Sequence, residues 1–187
     1  MKRIVLLLCV LLVTGCGKKY PETVNIDLQM ADQPAAVYAS STASLRGHDA
    51  REHPEVVVFR INEEPAVKIS NIRSPHIVIT ERIADGLREQ GLLFEKNAPV
   101  TILLELNQLL VTITKPKLLY NSEAVSQVTL KVTNRGTTLT RKYNRQASRE
   151  SASRPKTHHI EDMLNEQLSN IANQILADEE LREMIRQ

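Results

Sequence analysis

Residues 100–114 carry the pattern that most restricts how this chain can fold. Ile102, Leu104 and Leu106 occupy even positions, whereas Leu109, Val111 and Ile113 occupy odd ones. Successive strand residues point to opposite faces, so a change of phase in mid-run would turn half of these side chains into water. One extra residue near Asn107 and Gln108, a β-bulge, returns all six to one face. A strand this long needs long neighbours. Ala124, Ser126, Val128, Leu130 and Val132 share one face of residues 123–133, Asn134-Arg135-Gly136 is a hairpin signal, and Leu139, Tyr143 and Ala147 mark the strand beyond it. The polar stretch 148–155 then closes the sheet.

Upstream, residues 56–61 and 66–70 read as strands separated by the turn Asn62-Glu63-Glu64-Pro65, and residues 92–94 read as a short extended piece. Val24, Ile26 and Leu28 alternate with polar residues as a strand would. Residues 29–54 hold no sustained period and read as a surface loop. Ser74-Pro75 supplies a cap residue and a proline at the first helical position. Ile79, Ile83 and Leu87 then recur at helical spacing until Gly91, which predicts a helix over 75–90. The longest helix begins about Thr157, with Ile160, Met163, Leu164, Leu168, Ile171, Ala172, Ile175 and Leu176 in one stripe. Asp178 caps a last turn carrying Leu181, Met184 and Ile185. The expectation is one α+β domain over 23–187: a mainly antiparallel sheet of about five to seven strands with two helices packed on one face, a two-layer sandwich.

The first residues say where such a domain sits. Lys2 and Arg3 precede ten apolar residues, Ile4 to Val13, and Val13-Thr14-Gly15-Cys16 follows as a small-residue cleavage site. Ten residues fall short of the roughly 20 needed to cross a bilayer. Residues 1–15 are therefore expected to be a cleaved signal peptide, cut between Gly15 and Cys16, with 16–22 a short lipidated tether. The segment resembles the lipobox of bacterial lipoproteins. That resemblance implies lipid attachment at Cys16, with diacylglycerol on the thiol and a further acyl chain such as palmitate on the freed amine. Gly17 stands where inner-membrane retention would use aspartate, which implies the outer membrane with the domain facing the periplasm.

Cleavage leaves 172 residues, enough for one domain with a core of its own. It also removes Lys2 and Arg3, leaving 22 basic against 22 acidic residues, a balance that excludes general nucleic-acid binding. Cys9 leaves with the signal and Cys16 carries lipid, so disulfides, thiolate catalysis and cysteine metal ligands are excluded. With no tryptophan and two phenylalanines, the core must be aliphatic.

The pattern resembles the YajG family of uncharacterised bacterial lipoproteins. The residues that carry the resemblance are the lipobox at Cys16, the helix running into Gly91-Leu92, the strand opened by Pro99-Val100, the segment Lys142-Tyr143 and the closing stretch 178–187. The family has no established active site, so the resemblance implies no catalytic residue, and a more distant likeness is to auxiliary lipoproteins of envelope lipid transport.

No constellation of reactive residues assembles from spacing alone. His48, Asp49, Glu52 and His53 are zinc-type donors. The two histidines, five apart, fall on different faces of a helix or strand, and a solvated loop is the plainer reading. His158 and His159 sit at a polar helix start, where neighbouring side chains point apart. Ser44 and Ser74 lack a G-x-S-x-G elbow, and Ser74 is better explained as a cap. No phosphate-binding glycine motif is present. No metal, cofactor or enzymatic activity is expected.

Charge is unevenly spread, with ten basic residues against Glu123 and Glu150 over 115–156, and seven acids against Arg182 and Arg186 from 157 onward. Arg141, Lys142, Arg145 and Arg149 either protect a sheet edge or face anionic head groups or an acidic partner. The expected function is a lipid-anchored, non-catalytic structural or interaction module with an envelope protein partner, self-association remaining open. The alternative is an auxiliary lipoprotein that binds lipid or another apolar ligand in envelope transport.

Overall fold

β6 (Val100–Thr114) is the strand on which the sheet is built, and it changes neighbours halfway along. The computed structural model describes residues 20–39 and 41–187, so the signal, cleavage and acylation residues lie outside it. On one side β6 pairs along its length with antiparallel β7 (Tyr120–Asn134), which pairs in turn with β8 (Thr137–Ser151). On the other side its first half pairs with parallel β2 (Thr42–Asp49) and its second half with parallel β3 (Val57–Arg60). The register slips between Leu106 and Gln108, where one neighbour gives way to the other. A bulge bends and twists its strand, and here it keeps Ile102 to Ile113 on one buried face while the sheet curls and forks.

The fork is completed by β4 (Val67–Asn71) antiparallel to β3, by β1 (Thr23–Val24) parallel to β4, and by β5 (Leu93–Phe94) parallel to β2. The result is an eight-stranded, curled mixed sheet, and four of its seven described strand pairings are parallel. It carries three helices among the described residues: α1 (Pro75–Glu89), α2 (Thr157–Leu176) and α3 (Glu179–Arg186).

This overturns the mainly antiparallel two-helix sandwich. One reason is β2, which lies inside the stretch read as a loop. Of its helix-facing positions Ala43, Leu45, Gly47 and Asp49, only Leu45 is a large apolar residue, because α1 crosses directly above. A methyl group at Gly47 would collide with Thr80 on α1, so close approach has replaced the apolar pattern that marks a strand. The other reason is topological: β3 reaches β6 only through the long connection that holds β4 and α1, and a crossover of that length produces parallel neighbours.

α1 packs on β2 and β6, α2 on β6, β7, β8 and α1, and α3 on β7. The two long helices meet where Gly86 faces Leu176, with no room for a methyl group between them. The predicted stripe of α2 is buried from Ile160 to Leu176. α1 ends as expected: Gly91 adopts a left-handed conformation (φ 90°), its N–H donates to Arg88 O (2.9 Å), and Leu92 N–H donates to Leu87 O (2.9 Å). These are the paired bonds of a Schellman stop. Ser74 occupies the cap position of α1, but its side chain makes no capping bond.

Val24, Ile26 and Leu28 are buried as their alternation predicts, yet beyond Val24 their segment joins no sheet. It runs along α2 instead. The backbone N–H groups of Asn25, Asp27, Gln29 and Ala31 donate to Glu161 Oε1 (2.8 Å), Asn165 Oδ1 (2.8 Å), Ser169 Oγ (2.8 Å) and Asn173 Oδ1 (3.0 Å). Two extended residues advance about 6.6 Å and four helical residues about 6 Å. The two repeats therefore stay in step over four rungs.

Candidate interaction surface

β8 pairs only with β7 and so forms one margin of the sheet. Its odd-numbered side chains turn toward the helices. Arg145 Nη2 donates to Gln174 Oε1 (3.0 Å) and Arg149 Nη2 pairs with Glu166 Oε2 (2.8 Å). Arg141 Nε donates to Asp178 Oδ2 (3.2 Å), and its Nη1 meets Glu180 Oε2 (3.0 Å). Lys142, on the opposite face, is exposed. Of the four basic residues singled out from sequence, three thus engage the acidic and amide groups of the helical layer. Half-exposed ion pairs of this kind contribute at most about 1 kcal/mol each.

Asp178 is used more completely. Its Oδ1 accepts from the N–H groups of Glu180 and Leu181, capping α3, while its Oδ2 accepts the Tyr143 hydroxyl (2.7 Å) and the Arg141 bond. Burial, reinforced by the neighbouring Asp178 carboxylate, pushes the Tyr143 phenol well above its usual value. Gln167 closes the margin. In the amide orientation that satisfies all partners, it donates to Arg145 O (3.0 Å) and Ser126 Oγ (2.7 Å) and accepts from Ala147 N (3.2 Å). A helix side chain here occupies backbone groups that an unprotected edge would offer to another strand.

The zinc-type residues are dispersed. His48 lies on β2 in register with Glu105, and Asp49, on the other face, is held by Arg51. Arg51 N and Nε donate to Asp49 Oδ1 (3.3 and 2.8 Å), and Nη2 donates to Oδ2 (2.8 Å). The Arg51 side chain is only 5% exposed, and this clip folds the β2–β3 loop over the fork. His76 Nδ1 lies 3.7 Å from Asp49 Oδ2. Among the described residues no group of three or more histidine, cysteine or acidic side chains could hold a metal ion. His158 and His159 are exposed, and their rings lie against each other at 4.0 Å rather than apart. Ser44 reaches only Val100 O and Thr101 Oγ1, both at 3.4 Å.

The hydrogen bonds from Arg51 hold the Asp49 carboxyl below the usual carboxylate range, outweighing burial, which acts the other way. A carboxylate with a depressed folded-state value stabilises the fold above its unfolded value, and that contribution is lost as pH falls through the folded one. Asp49→Asn should therefore lower stability by about 1 kcal/mol at neutral pH. The gap from wild type should close as the pH falls below about 4. Urea midpoints measured across that window check it.

Two clefts flank these elements. One of about 550 Å³ lies between α1, β2 and β5, is open to solvent, and is lined by charged groups including Arg46, Glu81, Asp85, Arg88 and Lys96. Another of about 390 Å³ lies at the fork beneath the β2–β3 loop, between Arg51, His53, Asn107 and Gln127. Both mix charged and apolar groups at their walls, Leu45, Ala84 and Phe94 in the first and Val58, Leu109 and Leu110 in the second, whereas sites for apolar ligands are lined mainly by hydrophobic side chains. No helix among the described residues is long and apolar enough to cross a membrane.

Residues 29–186 match the model of Lipoprotein_16, a family of uncharacterised lipoproteins. The chain belongs to that family. This lipoprotein is similar in fold to protein XCC0632 from Xanthomonas campestris, of the DUF330 family, at 9% identity over 83% of this chain and 93% of that one, with a TM-score of 0.58. Weaker likenesses are to an uncharacterised protein (10% identity, 83% and 98% coverage, TM-score 0.46) and to hypothetical protein CT253 from Chlamydia trachomatis (13%, 78% and 98%, 0.44). The curated proteins contain no match to its sequence.

The polar ladder on α2 escaped the sequence reading, although its signal is there. Glu161, Asn165, Ser169 and Asn173 repeat every four residues beside the apolar stripe, and each offers an acceptor oxygen.

Proposed function

We propose that this lipoprotein is a non-catalytic structural or interaction module, held by acyl chains on Cys16 at the periplasmic side of the outer membrane. Its family is then the YajG one that its sequence resembles. The observation that supports this reading is the closed packing between sheet and helices. An apolar ligand needs a continuous apolar cavity there. Instead Gly86 is pressed on Leu176, and the α2 stripe is filled against β6 and β7. Arg141, Arg145 and Arg149 are engaged by the helical layer, so the outer strand faces and clefts are left as contact surface. Anchoring would raise the local concentration of that surface beside envelope partners.

Three measurements test the proposal. Cys16→Ser should move the protein from the outer-membrane to the soluble periplasmic fraction, and mass spectrometry of the native protein should find acyl chains on Cys16. A photo-crosslinker at Lys142 should capture an envelope protein in intact cells. Retention of the serine variant in the membrane fraction would rule out lipid anchoring, and crosslinks to small apolar molecules alone would favour the transport reading.

A further inference from the structure

The β6–β7 connection does more than reverse the chain. Its residues Lys115-Pro116-Lys117-Leu118-Leu119 place two leucines side by side in solvent, Leu118 85% and Leu119 44% exposed. They are not needed to close the sheet, since the next residue, Tyr120, is buried and already covered by Lys115 Nζ at 4.7 Å from its ring. No acidic residue occurs between Thr114 and Glu123. Glu63 and Glu64 lie in the β3–β4 turn at the same end of the sheet, so the positive charge is a property of the tip and not of the whole end.

Strand register places Tyr20, where the described residues begin, at that same end. Tyr20 packs edge-on against Phe59 (4.9 Å between rings), and Phe59 pairs with Ile113, next to the last residue of β6. From Tyr20 the chain enters β1, which runs parallel to β4 and so leads away from the β3–β4 turn. Cys16 precedes Tyr20 by four residues, a reach of about 14 Å when fully extended. The far end of the fifteen-residue strands is about 50 Å from the tip. With so short a tether, the end that carries the leucine pair is the one nearest the bilayer.

We propose that the hairpin tip 115–119 is a membrane-docking wedge, with Leu118 and Leu119 seated at the boundary of headgroups and acyl chains and Lys115 and Lys117 against lipid phosphates. Leucine with flanking lysine suits that depth, because the apolar body is buried while the ammonium groups stay at headgroup level. The wedge rests on the lipid-anchor reading and adds an orientation to it. Two-point attachment holds the strands upright and turns the β7–β8 hairpin into the periplasm.

The chain has no tryptophan, so a single introduced indole reports on one place. Acylated full-length protein carrying Leu118→Trp, and in parallel Thr138→Trp at the other end, would be reconstituted into phosphatidylethanolamine–phosphatidylglycerol vesicles with brominated acyl chains. The expected result is a blue shift and strong quenching at position 118, with neither at position 138. Adding Lys115→Gln and Lys117→Gln to the first variant should reduce its quenching. Unquenched emission from position 118 in protein that stays on the vesicles, or equal quenching at both positions, overturns the wedge and leaves the anchor standing. A blue shift at 118 that needs protein concentration and no lipid assigns the tip to a second copy of the chain and also overturns it. Release of both proteins from the vesicles overturns the anchor, and the wedge with it.

Discussion

Leu168→Asp is expected to abolish the folded domain. Leu168 is completely buried in the middle of α2, within the stripe that seals β6, β7 and α1. Loss of the leucine alone leaves a cavity worth about 2 to 5 kcal/mol. The carboxylate is too short to reach water from that position, so it must be buried charged or be protonated at a further cost. The sum is comparable to the whole stability of an ordinary domain, about 5 to 15 kcal/mol. The thermal transition seen by far-ultraviolet circular dichroism should disappear and protease resistance should go with it. Leu168→Ala supplies the graded control: a loss of about 3 kcal/mol, equivalent to a midpoint lower by roughly 6 to 12 °C. An aspartate variant that melts at the wild-type temperature would place Leu168 outside the core.

Asp178→Ala is the second large effect, about 2 to 4 kcal/mol, and it comes from one carboxylate serving both α3 and β8. Its removal uncaps α3, which costs about 1 kcal/mol. It also leaves the Tyr143 hydroxyl, on a side chain 3% exposed, without its acceptor at about 1 to 3 kcal/mol. The Arg141 bond adds little, because that side chain is 39% exposed. A double-mutant cycle with Tyr143→Phe separates the parts. Once the hydroxyl is gone, Asp178→Ala should cost only about the cap, so the two changes together should destabilise less than their sum. Strict additivity in urea unfolding would show that the Tyr143–Asp178 bond contributes nothing.

What could be read from sequence depended on whether a residue's pattern records its face or its neighbour. The bulge at Asn107 was legible because a change of phase must be compensated locally. Gly91 and the Asn134-Arg135-Gly136 turn were legible because only certain residues tolerate a left-handed backbone; Arg135 and Gly136 adopt φ 48° and 82°. β2 was hidden for the opposite reason, since the crossing of α1 replaced apolar side chains with Ala43 and Gly47. Parallel pairing was equally hidden, because alternation reveals which side of a strand is buried and nothing about the direction of the strand beside it. The basic residues of β8 illustrate a subtler limit. Their excess and the acidic excess after residue 157 were both visible in the composition. Only the fold shows that odd and even positions divide them, with Arg141, Arg145 and Arg149 meeting the helices and Lys142 left outside.

If the domain is fastened through Cys16 as proposed, the ladder between residues 25–31 and α2 has a mechanical meaning. Tyr20 and the start of α2 lie at the same end, and segment and helix run side by side in the same direction. Tension drawn through the tether would therefore act along the segment and across the rungs, loading all four together in shear instead of peeling them one at a time. A domain anchored in that way would be gripped along its length at the place where the pull enters.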